Sequence, residues 1–191
     1  METYISIINY PINYVELDYK HRLKKEKFLV IDKDSVFSDY DLLCFLLKLA
    51  INSEKHIGFY QRFEWLDDNV AKKIIQYVQH GDPHKRNILI VKGEPYFIDL
   101  DYINNYPALY DFFRLMITNN KNIEDYVNGR FDDEIRIILG QKKSDLEFEK
   151  DLYLSLFVYL FPNDLCYLLE FLPNSFVLTR NAINCRNGRP L

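Results

Sequence analysis

The residues of this chain that could do chemistry are concentrated in one stretch, HGDPHKRNILIVKGEPYFIDLD, which covers residues 80–101. Asp82 and Asn87 lie five positions apart in a polar loop, and two short apolar runs follow them. Such runs, joined by a short glycine-containing turn, predict a β-hairpin. Because a hairpin returns the end of its second strand to the start of its first, we expect Asp99 to lie beside Asn87.

The side chains gathered in this way suit phosphoryl transfer. The oxygens of Asp99 and Asn87 are ligands that Mg²⁺ accepts together with water and phosphate oxygens. Asp82 supplies a further carboxylate, which can take the proton of an attacking hydroxyl group. Metal ligands and a base, with little covalent machinery, are the groups that phosphoryl transfer requires. A solvated turn between two strands is the alternative interpretation of the same loop.

The loop and the strand end together resemble a known catalytic segment. HGDPHKRN followed by FIDLD is similar to the segment of the atypical kinases, the superfamily of aminoglycoside phosphotransferases, choline kinases and bacterial lipopolysaccharide core kinases. The spacing from Asp82 to Asn87 also matches the sister loop of protein kinases. The HGDPH variant is most similar to lipopolysaccharide heptose kinases. The resemblance is specific over residues 80–101, extends to Asp111, and rests on layout elsewhere.

The resemblance implies a role for each matching residue of the loop and hairpin. Asp82 would be the catalytic base, and Asn87 and Asp99 would bind the Mg²⁺ that bridges the phosphates of ATP. His80 would brace the loop. Asp101 would support the metal ligands from behind or add a supplementary ligand.

Two further residues are implied outside the loop. Asp111, in YPALYDFFRL, resembles the helix aspartate that holds the catalytic loop by hydrogen bonds. Lys33 ends the strand-like run KFLVIDK and is the predicted phosphate-binding lysine, as in the kinase pattern V-A-I-K. Asp39 or Asp41 would be its partner in place of the usual glutamate. Lys27 lies on the same face of that strand and is the alternative.

The amino-terminal part departs from the kinase pattern. No glycine precedes Gly58, so there is no glycine-rich loop whose backbone N–H groups could cover the ATP phosphates. We therefore expect residues 1–65 to form a reduced nucleotide-binding lobe. The lack of a glycine-rich loop is compatible with a partner protein that completes this lobe.

The remaining pattern predicts the layout of the chain. Strands of a small antiparallel sheet are expected at residues 3–8, 14–18 and 27–32, and a helix from Ser38 or Asp39 to about Asn52. HIGFYQRFEW predicts a further strand and a connection, and DDNVAKKIIQYVQ, from Asp67, predicts a helix. Beyond Pro107 helices are expected at residues 108–118, 131–139, 144–161 and 163–172, followed by a loose tail over the last dozen residues.

This order of elements predicts an α+β, two-lobed, protein-kinase-like fold. Residues 1–65 would form a small antiparallel-sheet N-lobe that binds nucleotide. Residues 66–191 would form a mainly helical, catalytic C-lobe.

Composition narrows the class of protein further. The chain of 191 residues is 48% hydrophobic and 27% charged, which is enough to build a core. Its net charge of −4 offers no basic footprint for nucleic acid. Three dispersed cysteines and the lack of a signal-peptide pattern predict a reduced, cytoplasmic protein. The longest apolar run, residues 152–161, ends at Pro162 and is too short for a transmembrane segment.

The sequence therefore predicts an ATP- and Mg²⁺-dependent phosphotransferase. Its acceptor would be a hydroxyl group of a sugar or similar small molecule, with lipopolysaccharide and surface-polysaccharide units among those that the resemblance implies. A protein kinase and a non-catalytic kinase-like scaffold, or pseudokinase, are the alternatives. A further alternative is a haloacid-dehalogenase-like phosphatase, because FLVIDKDSVF places Asp32 as nucleophile and Asp34 as acid/base after an apolar strand.

Overall fold

The computed structural model describes residues 38–58, 66–84, 87–91, 94–140, 145–161 and 163–186. The three strands expected before residue 33, the predicted phosphate-binding Lys33 and the Asp32–Asp34 motif all lie outside the described residues. The predicted division at residue 65 stays a prediction, as does the two-lobed arrangement.

The first described element is α1 (Asp39–Asn52), where the sequence predicts a helix. Its start is fixed locally, because Ser38 Oγ accepts a hydrogen bond from Asp41 N and Asp41 Oδ2 accepts one from Ser38 N. This reciprocal capping box satisfies two backbone donors that the first turn leaves unpaired. The apolar face of α1 is buried and packs against the later helices.

The helix predicted from Asp67 is wrong for most of its length. Only α2 (Asp68–Ala71) is helical, and it follows β1 (His56–Ile57). The chain then forms the strand β2 (Ile75–Gln79). The apolar spacing from Val70 to Val78 fits a helix, but β2 is paired along both edges, and its Ile75 N–H donates to Tyr153 Oη at 2.7 Å. Pairing with distant segments overrides the local periodicity.

Two small antiparallel sheets position the loop at residues 80–87. The first has the strand order β1–β2–β5, where β5 (Asn104–Pro107) was not expected from the sequence. The second is the predicted hairpin of β3 (Ile88–Val91) and β4 (Glu94–Phe97), with Ile88 opposite Phe97. A 3₁₀ turn (Leu100–Tyr102) joins the hairpin to β5.

The rest of the described chain is helical. It contains α3 (Tyr110–Met116), α4 (Asn120–Val127), α5 (Asp132–Leu139), α6 (Leu146–Leu160), a 3₁₀ segment (Cys166–Glu170) and α7 (Val177–Arg186). The expected helices at 108–118, 131–139 and 144–161 correspond to α3, α5 and α6. The helix α4 was not expected, and the helix expected at 163–172 is instead the 3₁₀ segment.

The predicted loose tail is wrong over residues 180–186, since α7 continues to Arg186, and residues 187–191 lie outside the described residues. The buried Asp151 carboxylate, on α6, accepts hydrogen bonds from the N–H groups of Leu178 and Thr179, both at 2.8 Å. Arg186 returns to α6 and donates to the carbonyls of Val158 and Phe161. Contacts with α6 therefore hold both ends of α7. A local sequence pattern carries no information about such contacts between distant helices.

The described architecture is a mixture of helices with small antiparallel sheets, which is compatible with a kinase-like fold. Its core is rich in aromatic rings, with Phe112, Phe113, Tyr126 and Phe157 almost fully buried. No helix among the described residues combines the length and the apolar character needed to cross a membrane.

Candidate active site

A buried aspartate binds the first residues of the loop that follows β2. Asp111, at the start of α3, accepts hydrogen bonds from the backbone N–H groups of His80 and Gly81, at 2.8 Å to Oδ2 and Oδ1 respectively. Its own N–H donates to Gln79 Oε1 at 3.0 Å. The Gln79 amide in turn donates to the Pro107 carbonyl at 2.9 Å. This network ties the first residues of the loop to the amino end of α3.

The surroundings of Asp111 change its protonation. Burial raises the pKa of this carboxyl group from 3.8 to about 7, although the two N–H donors favour the charged form and act in the opposite direction. The group therefore changes its charge near neutral pH.

His80 connects the loop to the end of the hairpin. It is fully buried, its Nδ1 accepts a hydrogen bond from Asp82 N at 3.2 Å, and its Nε2 lies 2.9 Å from the Ile98 carbonyl. These partners place the ring proton on Nε2, and burial lowers the pKa of the imidazole, which favours the neutral form. The ring also packs against Phe97, with centroids 4.8 Å apart. His80 therefore contacts both the loop and the end of the hairpin, and its role as a brace of the loop stays a prediction.

The loop turns at Gly81, whose φ of +86° favours glycine. A Cβ atom at this position would lie 2.5 Å from the Tyr102 carbonyl oxygen and 2.7 Å from Tyr106 Oη. The close approach of the 3₁₀ turn therefore requires glycine here.

The hairpin returns Asp99 to the neighbourhood of Asn87 at its open end, as the sequence predicts. The Ile98 N–H donates to the Asn87 carbonyl at 3.0 Å, so Asp99 is the next residue beyond this pairing. Asn87 is buried, and its Nδ2 donates to the Asp82 carbonyl at 3.1 Å, which leaves Oδ1 as the amide atom suited to a cation. Asp99 is exposed and has left-handed backbone angles, φ 62° and ψ 70°.

The donor set at this end fits Mg²⁺. Among the described residues, no three His, Cys, Asp or Glu side chains are grouped to hold a metal ion. An amide oxygen and one carboxylate are nevertheless sufficient for Mg²⁺, which usually retains water and takes phosphate oxygens as its other ligands. Asp101 lies in the exposed 3₁₀ turn, two residues beyond Asp99. Its supporting role stays a prediction.

The Asp82 carboxylate is held by an arginine that the sequence analysis missed. Arg114 Nε donates to Asp82 Oδ1 at 3.1 Å, and Arg114 Nη2 lies 2.9 Å from the same oxygen as an ion pair. His84 Nε2 lies 3.4 Å from the other oxygen, Oδ2. The signal was present in the spacing, because Arg114 follows Asp111 by three positions on α3, which places both on one face of the helix.

A loop held by a buried helix aspartate and a hairpin that returns an acidic residue to it form the arrangement of a kinase-like phosphotransferase. A family model described as the phosphotransferase enzyme family (APH) matches residues 46–143. Because this match covers slightly more than half of the 191 residues, the chain belongs to that family. Comparison with curated proteins and with solved structures gives no match.

Proposed function

We propose that this protein transfers the γ-phosphoryl group of ATP to a hydroxyl group of a sugar or similar small molecule. The observation that carries the proposal is the construction of the loop. Asp111 binds the backbone at His80 and Gly81, and the hairpin returns Asp99 to Asn87 around the same loop as Asp82. Membership of the phosphotransferase family supports the same reaction type.

Each residue of the loop would have a distinct task. Asp82 would orient the acceptor hydroxyl and accept its proton through Oδ2. Asn87 Oδ1 and the Asp99 carboxylate would hold Mg²⁺, which neutralises charge on the nucleotide phosphates when it is bound. His80 and Asp111 would keep the loop in place without contacting the substrate. Asp101 would assist Asp99 from the neighbouring turn.

The acceptor and the nucleotide lobe belong to the same proposal. The similarity of HGDPH to lipopolysaccharide heptose kinases makes a heptose or another sugar of a surface polysaccharide the first acceptor to test. Lys33 would bind the nucleotide phosphates, and Asp39 or Asp41 would pair with this lysine. Asp39 lies in the first turn of α1, and its Oδ2 accepts a hydrogen bond from Asn119 Nδ2 at 3.1 Å.

Nucleotide binding is the first test. Thermal unfolding is measured with ATP, ADP and GTP, each with and without Mg²⁺. We expect ATP to raise the melting temperature only when Mg²⁺ is present, because a ligand that binds the folded state alone stabilises it. Absence of any shift would instead support a non-catalytic scaffold.

Transfer is the second test, and Asp82→Asn is its variant. Transfer from ATP to free heptose, other monosaccharides and choline is measured with the parent and the variant. We expect turnover to fall by about 10²-fold or more with little change in nucleotide binding, because the substitution keeps the shape and removes the base. Asp133→Asn, at an exposed carboxylate of α5, is the matched control and should keep parental turnover. Undiminished transfer by Asp82→Asn would contradict the assignment.

A further inference from the structure

The contact between Arg114 and Asp82 has an unusual geometry. Nε of the guanidinium donates to the carboxylate oxygen Oδ1 at 3.1 Å, and Nη2 lies 2.9 Å from the same oxygen. A parallel pair would instead use one donor for each oxygen. Both nitrogens therefore contact Oδ1, and the contact that the described residues make with Oδ2 is that of His84 Nε2, at 3.4 Å.

The guanidinium also packs over an aromatic ring. Its central carbon lies 4.9 Å from the centroid of the buried Phe161 ring, at the end of α6. Phe161 stacks on Phe157 with centroids 5.1 Å apart, so the ring is part of the core. The Arg114 side chain is about one-fifth exposed and the Asp82 side chain about one-quarter exposed. A partly buried, charge-assisted contact of this kind restricts both side chains.

The helix α3 therefore holds the loop at two points. Asp111 binds the loop backbone at His80 and Gly81, and Arg114, on the next turn, binds the Asp82 side chain. The first contact fixes where the Asp82 main chain lies, and the second fixes the direction of its carboxylate.

We propose that Arg114 is a positioning residue that fixes the Asp82 carboxylate so that Oδ2 is presented to the acceptor hydroxyl. This inference rests on the proposed function. During transfer, a bond forms between the acceptor oxygen and the γ-phosphorus, the bond from that phosphorus to the leaving oxygen of ADP breaks, and the hydroxyl proton goes to Oδ2. Without Arg114, the carboxylate rotates freely and spends less time in the productive direction.

The test separates orientation from binding. Initial rates of transfer from ATP to the monosaccharide that the parent phosphorylates fastest are compared for the parent, Arg114→Ala and Arg114→Lys. We expect kcat of Arg114→Ala to fall by about 10- to 100-fold, because small misplacement of a reacting group has effects of this size. The KM for ATP should stay within about threefold, because Arg114 binds Asp82 and not the metal ligands. The kcat of Arg114→Lys should lie between that of the parent and that of Arg114→Ala, since an ammonium group lacks the planar fork of the guanidinium.

Three further measurements link the effect to Asp82. Arg136→Ala removes an arginine with a similar ion pair, 2.8 Å from Asp133 on α5, and should keep the parental kcat. Arg114→Ala made in the Asp82→Asn background should cause little further loss, because residues that act through one group are not additive. Added guanidinium should restore part of the activity of Arg114→Ala but none to the double variant.

The outcomes distinguish this inference from the function on which it rests. A parent protein that transfers phosphate to no acceptor overturns the proposed function and the inference with it. An active parent whose folded Arg114→Ala variant keeps its kcat overturns the inference alone. If Arg114→Ala does not fold, Arg114→Lys decides, and a parental kcat in that variant overturns the inference.

Discussion

The buried Asp111 makes a quantitative prediction about stability and pH. Its pKa is raised to about 7 in the folded protein, whereas the usual value is 3.8, because burial penalises the charged carboxylate. Between these two values the unfolded chain has lost the proton and the folded protein keeps it. Folding stability contributed by this group therefore decreases as pH rises from about 4 to about 7.

The substitution Asp111→Asn isolates this effect. A protonated aspartic acid and an asparagine have nearly the same shape, and the carbonyl oxygen of each can accept a hydrogen bond from one of the N–H groups of His80 and Gly81. The amide nitrogen of the variant cannot accept the second of these hydrogen bonds, and the resulting loss of stability does not vary with pH. Only the parent ionises as pH rises, and the shift of about three pKa units corresponds to roughly 4 kcal/mol over the whole range.

Urea unfolding of both proteins between pH 5 and pH 8 measures the difference. We expect the parent to lose roughly 2–3 kcal/mol relative to Asp111→Asn between pH 5 and pH 7, with little further change above that. The neutral, buried His80 also titrates, but it is present in both proteins and cancels in the comparison. A difference that does not vary with pH would refute the reasoning. A parent that gains stability with pH would mean that the two N–H donors outweigh burial.

Two further predictions concern the residues around the loop. Asp99→Asn keeps a side chain that tolerates the left-handed backbone and removes the charge, so it should weaken the Mg²⁺-dependent part of nucleotide binding, measured as the thermal shift with ATP. Asn87→Ala should weaken this nucleotide binding less, because the lost ligand is neutral. An unchanged thermal shift in Asp99→Asn would mean that the metal binds elsewhere. Gly81→Ala should lower the free energy of unfolding in urea by about 1–3 kcal/mol more than Gly140→Ala, because both have positive φ but only Gly81 is crowded. Equal losses in the two variants would show that the turn gives way around the added methyl group.

Local interactions explain which elements the sequence could predict. The helix α1 follows a capping box within four residues, and the β3–β4 hairpin is made by two short runs around one turn. The spacing of Asp82, Asn87 and Asp99 along that hairpin was sufficient to expect them at one end of it. The family match to residues 46–143 agrees with the resemblance that these residues indicated.

The errors occur where distant segments decide the local structure. Residues 75–79 form a strand because β1 and β5 pair with both of its edges, and one of these partners lies almost thirty residues further along the chain. Similarly, the first turn of α7 binds the Asp151 carboxylate, which lies 27 residues before Leu178 and 28 residues before Thr179. Apolar spacing is compatible with more than one structure, and it contains no information about such partners.

The sequence by itself determined which chemical groups are present at the candidate site and in what order. Tertiary structure decided their state and direction. Asp111 reaches the loop across thirty residues, and burial there, together with the nearby Asp82 charge, raises its pKa to about 7. Arg114 likewise meets Asp82 across 32 positions, because α3 packs beside the loop and Phe161 lies beneath the guanidinium. Protonation and orientation depend on solvent exclusion and on contacts in space, and neither is a property of residue order.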